Sequence, residues 1–176
     1  WTCDYLEIDY QWVVLDLLEG ETRTEDFLAK NPAGQAPCIE LSDGRCLSQS
    51  NAIMRYLARG SSLIPTDPFL AAKMDEWLFW EQYSHEPYIA VLRFHMQYLG
   101  KKKDERDPDR VAKGEQALAF MNTALEQYHF LVGSKLTLAD IALYAYTHMA
   151  EEGGFELGPH PAISHWLKRV KTELKL

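Results

Sequence analysis

Gly60-Ser61-Ser62-Leu63-Ile64-Pro65-Thr66-Asp67-Pro68 is the stretch on which the reading of this chain turns. It concentrates turn formers, and its last two residues are a helix-start signal. Asp67 offers a capping carboxylate, and Pro68 lacks only an N–H that the first turn would leave unpaired. Before this stretch, strand and helix signals alternate. After it, every segment reads as helix. The chain therefore divides into a small α/β unit over residues 1–62, a linker over 63–67, and an all-α helical bundle over 68–176.

Working outward toward the C-terminus, the segment from Pro68 to Leu99 carries Trp77, Trp80, Tyr83, Tyr88 and Phe94. Pro87 lies inside it and is expected to kink or split the helix. The mixed-charge run Lys101 to Arg110 reads as a solvated connection. Asp107-Pro108 repeats the start signal and opens a helix expected to reach Leu131. In Leu136-Thr137-Leu138-Ala139-Asp140-Ile141, Thr137 can cap the amide of Asp140, and the Asp140 carboxylate can return to the amide of Thr137. Leu136 and Ile141 take the hydrophobic-staple positions. The following Ile141-Ala142-Leu143-Tyr144-Ala145-Tyr146 is apolar nearly all round, so this helix belongs at the centre of the bundle and its box is structural. A last helix starts at His160-Pro161, with Trp166, Leu167 and Val170 facing inward.

Toward the N-terminus, Ser50 opens a helix with Ile53, Tyr56 and Leu57 on one face. Cys38 to Leu41 and Cys46 to Ser48 read as two strands joined by a turn with Asp43-Gly44 at its centre. Thr24 caps a short helix to Ala29, which Asn31-Pro32-Ala33-Gly34 ends. Tyr10 to Leu17, β-branched and aromatic, is a predicted strand. Trp1 to Leu6 reads as the second half of a helix.

Composition sets the outer bounds. The chain has 176 residues, 47% apolar and 25% charged, which is ordinary globular usage. A net charge of −8 gives no basic footprint for nucleic acid. No apolar run approaches the ~18–20 residues of a membrane span, and Trp1-Thr2-Cys3-Asp4 is not a signal peptide. Three cysteines, Cys3, Cys38 and Cys46, form no Cys-x-x-Cys pair, which predicts a reducing compartment, the cytoplasm. Cys3 reads as a buried helix residue, and Cys38 and Cys46 as core or edge residues of the hairpin. No histidine stands at a metal-ligand spacing, so no metal is expected.

Three motifs in this order resemble the cytosolic glutathione transferase family. Asn31-Pro32-Ala33-Gly34-Gln35-Ala36-Pro37 is similar to its Asn-Pro-x-Gly-x-[Val/Ile]-Pro, Gln49-Ser50-Asn51-Ala52-Ile53 to its [Glu/Gln]-Ser-x-Ala-Ile, and Thr137-Leu138-Ala139-Asp140 to its [Ser/Thr]-x-x-Asp box. The resemblance implies a thioredoxin-like N-terminal domain, with its first strand and helix start missing, followed by the helical domain. It implies glutathione as co-substrate, a cis bond before Pro37, and backbone pairing of Ala36 with the cysteinyl part of glutathione. Ala36 departs from the usual Val or Ile. Gln49 and Ser50 would hold the γ-glutamyl carboxylate at a helix N-terminus, whose free amides and partial positive charge suit an anion. Gln35 would contact the glycyl end.

The family's thiol-activating Ser, Tyr or Cys sits at the start of the first helix. Trp1 to Leu6 matches the end of that helix, so the catalytic residue is expected ahead of Trp1 and remains unknown. The electrophile pocket is expected among Tyr88, Leu92, Phe94, His95 and Tyr98, above all Phe94, His95 and Tyr98. Arg93 is either a seat for an acidic substrate or a surface arginine. Two functions fit: an enzyme conjugating the glutathione thiolate to a small electrophile, or a non-catalytic module of the same fold. Intact Pro37 and Gln49-Ser50 favour the enzyme. A homodimer is implied by the family and is supported by the aromatic excess of the helix after Pro68.

Overall fold

The computed structural model describes all 176 residues. They form two compact units, Trp1–Ser61 and Ser62–Leu176.

The first unit begins with a single helical turn, α1 (Thr2–Tyr5). A 3₁₀ turn over Glu21–Arg23 leads into α2 (Glu25–Lys30), where the Thr24 hydroxyl accepts the Phe27 N–H at 3.4 Å. Strands β1 (Cys38–Glu40) and β2 (Cys46–Ser48) pair antiparallel, Cys38 opposite Ser48 and Glu40 opposite Cys46. The turn between them uses Gly44 at φ 82°, a left-handed conformation glycine adopts without a Cβ penalty. Asp43 braces that turn by accepting from the backbone and guanidinium of Arg45 (3.1 and 2.8 Å). Helix α3 (Ser50–Leu57) packs on both strands and buries Ile53.

Tyr10 to Leu17 forms no strand, contrary to its composition. Trp12 and Val14 are 77% and 75% exposed. Strand propensity needs a neighbour to accept the ladder, and the sheet contains β1 and β2 alone.

In the second unit, α4 (Pro68–Trp80) starts where expected, with Asp67 accepting the Leu70 N–H at 2.9 Å. Pro87 splits the α-helix, as expected. A π-helical turn over Glu81–His85 joins α4 to α5 (Glu86–Gln97), which carries Pro87 in its first turn. The wider turn accommodates the ring and the missing donor, which an uninterrupted α-helix cannot do. Helix α6 (Pro108–Leu125) ends six residues short of the expected Leu131. Residues 126–136 instead form a loop closed by a bridge between Phe130 and Gly133.

Helix α7 (Leu138–Thr147) is the centre of this unit, with eight of its ten residues buried. Its capping box closes in both directions. The Asp140 carboxylate, itself fully buried, does more than cap. Oδ2 accepts from the Thr137 amide and hydroxyl (2.9 and 3.0 Å), while Oδ1 accepts from the Leu131 amide and the Trp166 indole (both 2.9 Å). One side chain thus ties the 126–136 loop, the start of α7 and helix α8 (Pro161–Glu173) together. Burial pushes its carboxyl above the usual range, against the pull of those four donors.

Helix α8 lacks a cap from its own His160. Buried Asn122 on α6 supplies one across the interface, its Oδ1 accepting from the amides of Ala162 and Ile163 (3.0 and 3.4 Å). Trp166 and Val170 face inward as expected, whereas Leu167 is only half-buried. Gly114 lets α6 approach its neighbours: a Cβ there would run into the Phe155 ring and lie 3.3 Å from Ile89 Cδ1.

Candidate functional site

The two N-terminal motifs meet at one end of the hairpin. Pairing Cys38 with Ser48 makes Pro37 and Gln49 the next residues out, opposite each other across the open end of the ladder. Gln35, Ala36, Pro37 and Gln49 are exposed and Ser50 half-buried, so this end of the unit presents a surface. The Ala36–Pro37 peptide is cis.

The loop ahead of Pro37 is held by residues that the motif contains but whose roles the sequence does not announce. Asn31 is buried. Its Nδ2 donates to the Gln35 carbonyl at 2.6 Å and its Oδ1 accepts from the Ala33 amide at 3.2 Å, fixing the turn from inside. Gly34 has φ 63° and packs so closely on the 3₁₀ turn that a Cβ would meet the Arg23 guanidinium and lie 3.1 Å from the Thr22 carbonyl. Arg23 also donates to the Ala33 carbonyl at 3.3 Å. The spacing Asn-Pro-x-Gly signals a turn, but nothing local in the sequence points to Arg23.

Gln49, not Ser50, occupies the cap position of α3, and its side chain makes no capping bond. Its backbone stands at φ 71°, ψ 112°, outside the conformations a residue with a Cβ prefers, at a cost of roughly 1–3 kcal/mol. Ser50 is the first helical residue, with the first intrahelical bond running from Ile53 N–H to Gln49 O at 2.9 Å. Amides of the first turn therefore point out of the helix start beside the Ser50 hydroxyl, a seat for an anion.

Residues expected to line an electrophile pocket lie on α5 and its end, and the helix distributes them. Phe94 and Tyr98, one turn apart, stack with ring centroids 5.3 Å apart. His95 points elsewhere, its imidazole held below the usual range first by burial and then by Lys101 and Arg110. Leu92 is fully buried and lines nothing accessible. Tyr88 belongs to a separate cleft with Trp80, Lys113 and Phe120. Arg93 is no bare seat for an acid, because its Nε already donates to Glu152 at 2.6 Å.

Cys3 is half-buried on α1, and burial raises its thiol pKa, which does not suit a nucleophile. No three His, Cys, Asp or Glu side chains converge as a metal site. No helix is long and apolar enough to cross a membrane.

The chain is similar to known proteins over both of its units. The family model described as glutathione S-transferase, N-terminal domain, matches residues 1–59, and that described as glutathione S-transferase, C-terminal domain, matches residues 77–173. Glutathione S-transferase D7 of Drosophila melanogaster is 29% identical over 162 residues, covering 89% of this chain and 70% of the relative. A crystal structure of a glutathione S-transferase from Pseudomonas fluorescens superposes with a TM-score of 0.94 at 47% identity, over 97% of this chain and 86% of that one. A possible glutathione transferase from Rhodopseudomonas palustris superposes with a TM-score of 0.93 at 40% identity, over 98% and 86%. With both halves matched in order, the chain belongs to the glutathione S-transferase family: a thioredoxin-like domain followed by a helical domain, an enzyme that conjugates the thiol of its co-substrate glutathione to electrophiles.

Proposed function

We propose that the open end of the hairpin is where this transferase holds glutathione. The supporting observation is the ladder register, which sets Pro37 opposite Gln49 and so brings two motifs from different parts of the sequence to one surface. Ala36, one residue beyond the loop that Asn31 braces, pairs its backbone with the cysteinyl peptide. The γ-glutamyl carboxylate takes the Ser50 hydroxyl, the Gln49 side chain and the first amides of α3. Gln35 reaches the glycyl end. A −8 protein thus binds an anion through a local field and not through net charge.

In this reading residues 1–62 form the glutathione-binding domain and 68–176 the helical domain, joined by 63–67. The stacked Phe94 and Tyr98 offer an apolar face to an electrophile, while His95, also expected in the pocket, lies off that face, and the reading is consistent with detoxification in the cytoplasm. The aromatic face of α4 and the π turn, where Phe79 and Tyr83 are 77% and 82% exposed, serves a homodimer. Sedimentation at micromolar concentration gives a dimer on this account; a monomer removes the assignment of that face.

Ser50→Ala tests the site. A hydrogen bond to a charged group contributes about 1.5–3 kcal/mol, so glutathione should bind roughly 10- to 150-fold more weakly by calorimetry. Because Ser50 is not the cap, the thermal midpoint should hold. An unchanged Kd would remove Ser50 from the site.

A further inference from the structure

Cys38 and Cys46 remain unused by the reaction. The sequence reads them as core or edge residues rather than redox partners; both are half-exposed free thiols on the two strands of the hairpin. With Cys38 opposite Ser48 and Cys46 opposite Glu40, the period of two places all four side chains on one face, the cysteines as diagonal neighbours. Diagonal residues stand about 7–8 Å apart at Cα and closer at Cβ. Each thiol donates to a nearby carbonyl, Cys38 to those of Lys30 (4.0 Å) and Ile39 (3.7 Å) and Cys46 to that of Gly44 (3.8 Å), and the Lys30 ammonium pairs with Glu40 at 2.7 Å on the same strand as Cys38. Cys38 follows Pro37, and Cys46 lies on the strand that ends at Gln49.

We infer that Cys38 and Cys46 form a reversible disulfide, with glutathione disulfide as oxidant, which weakens glutathione binding at the adjoining site. The inference rests on the assignment of Pro37 and Gln49-Ser50 to that site. In the first step the Cys38 thiolate attacks one sulfur of glutathione disulfide, forming a mixed disulfide and releasing a glutathione thiolate. In the second, the Cys46 thiolate attacks the Cys38 sulfur and releases the second glutathione thiolate. Two electrons pass from the cysteines to glutathione disulfide, and the two cysteine protons end on the two released thiolates.

The coupling is geometric. A disulfide wants Cα atoms about 4.4–6.8 Å apart, closer than diagonal strand neighbours, so closure draws the strands past one another. The strand ends that move are those carrying Pro37 and Gln49. A bond formed against that resistance is a labile, readily reduced one. Burial raises the Cys38 thiol and Lys30 opposes it, so exchange runs slowly at neutral pH and faster above it.

The test uses the full chain equilibrated across ratios of glutathione to glutathione disulfide, then alkylated and digested with trypsin. Cleavage after Lys30, Arg45 and Arg55 yields peptides 31–45 and 46–55, one cysteine in each. The expected result is a 31–45/46–55 link under oxidising ratios, released by dithiothreitol, and a glutathionyl adduct held on Cys38 in Cys46→Ser. Affinity for S-methylglutathione, which cannot exchange, should fall about tenfold on oxidation of the wild type and stay constant in Cys38→Ser/Cys46→Ser. Absence of the link at every ratio overturns the pair, and a link with unchanged affinity overturns the coupling. Failure of the reduced wild type to bind S-methylglutathione overturns the site assignment instead, while the peptide map still decides the pair.

Discussion

His85 is buried completely at the end of the π turn, and its titration should set the acid limit of this protein. Thr147 Oγ1 donates its proton to the Leu143 carbonyl at 2.6 Å, so toward His85 Nε2, 3.0 Å away, it can only accept. The imidazole is therefore the neutral Nε2–H tautomer, and its Nδ1 meets no partner. Burial alone pushes the pKa from 6.5 down to about 3. Below pH 6.5 the unfolded chain takes up a proton that the folded chain refuses, so stability present above pH 6.5 is lost as pH falls toward 3. At 1.36 kcal/mol per unit the full loss is about 5 kcal/mol, of which about 2 kcal/mol falls between pH 7 and pH 5. Asp140, whose folded pKa is raised, contributes with the opposite sign. The comparison is therefore made against His85→Gln, which cannot titrate and whose amide can still donate to Thr147. Urea unfolding at pH 5, 6 and 7, followed by tryptophan fluorescence, should show the wild type losing about 2 kcal/mol more than the variant between pH 7 and 5. Equal losses in both proteins would refute the buried neutral histidine.

Other expectations follow from the packing of the helical unit. Asp140→Asn leaves an amide facing the Thr137 donors and should lower the urea-derived stability by about 3 kcal/mol, without changing glutathione affinity in the folded fraction. Asn122→Ala strips the start of α8 of its borrowed cap. A loss of about 1 kcal/mol is expected, with faster hydrogen exchange at the Ala162 and Ile163 amides. Gly114→Ala pushes a methyl into the Phe155 ring, and the thermal midpoint should fall by the equivalent of about 1–3 kcal/mol.

Local physics is what the sequence states well. Thr24, Asp67, Asp107 and Thr137 each cap the helix expected of them, because a cap is decided within four residues. The Asp43-Gly44 hairpin formed in register for the same reason. Tyr10 to Leu17 failed because a strand is a pairing, and its neighbour is not encoded in its own residues. The α6 end at Leu125 was missed because apolar spacing continues into the loop, where the bridge between Phe130 and Gly133 and the reach of Asp140 to Leu131 take over. The glutathione motifs were legible as words but not as a surface. That Phe94 and Tyr98 stack while His95 turns away follows from helical phase, yet which phase faces what depends on the partners of α5.

By itself, then, the sequence determined the two-unit plan, the helix starts and the family, all of which rest on contacts within a turn or two of the chain. Only the tertiary structure decided that Asn31 and Arg23 hold the loop at Ala36–Pro37, that Asn122 caps a helix forty residues on, and that Asp140 gathers three elements. It also decided that Cys38 and Cys46 are diagonal neighbours. Each of these joins residues through space, and buried polar groups choose their partners by what folding leaves within reach once water is gone.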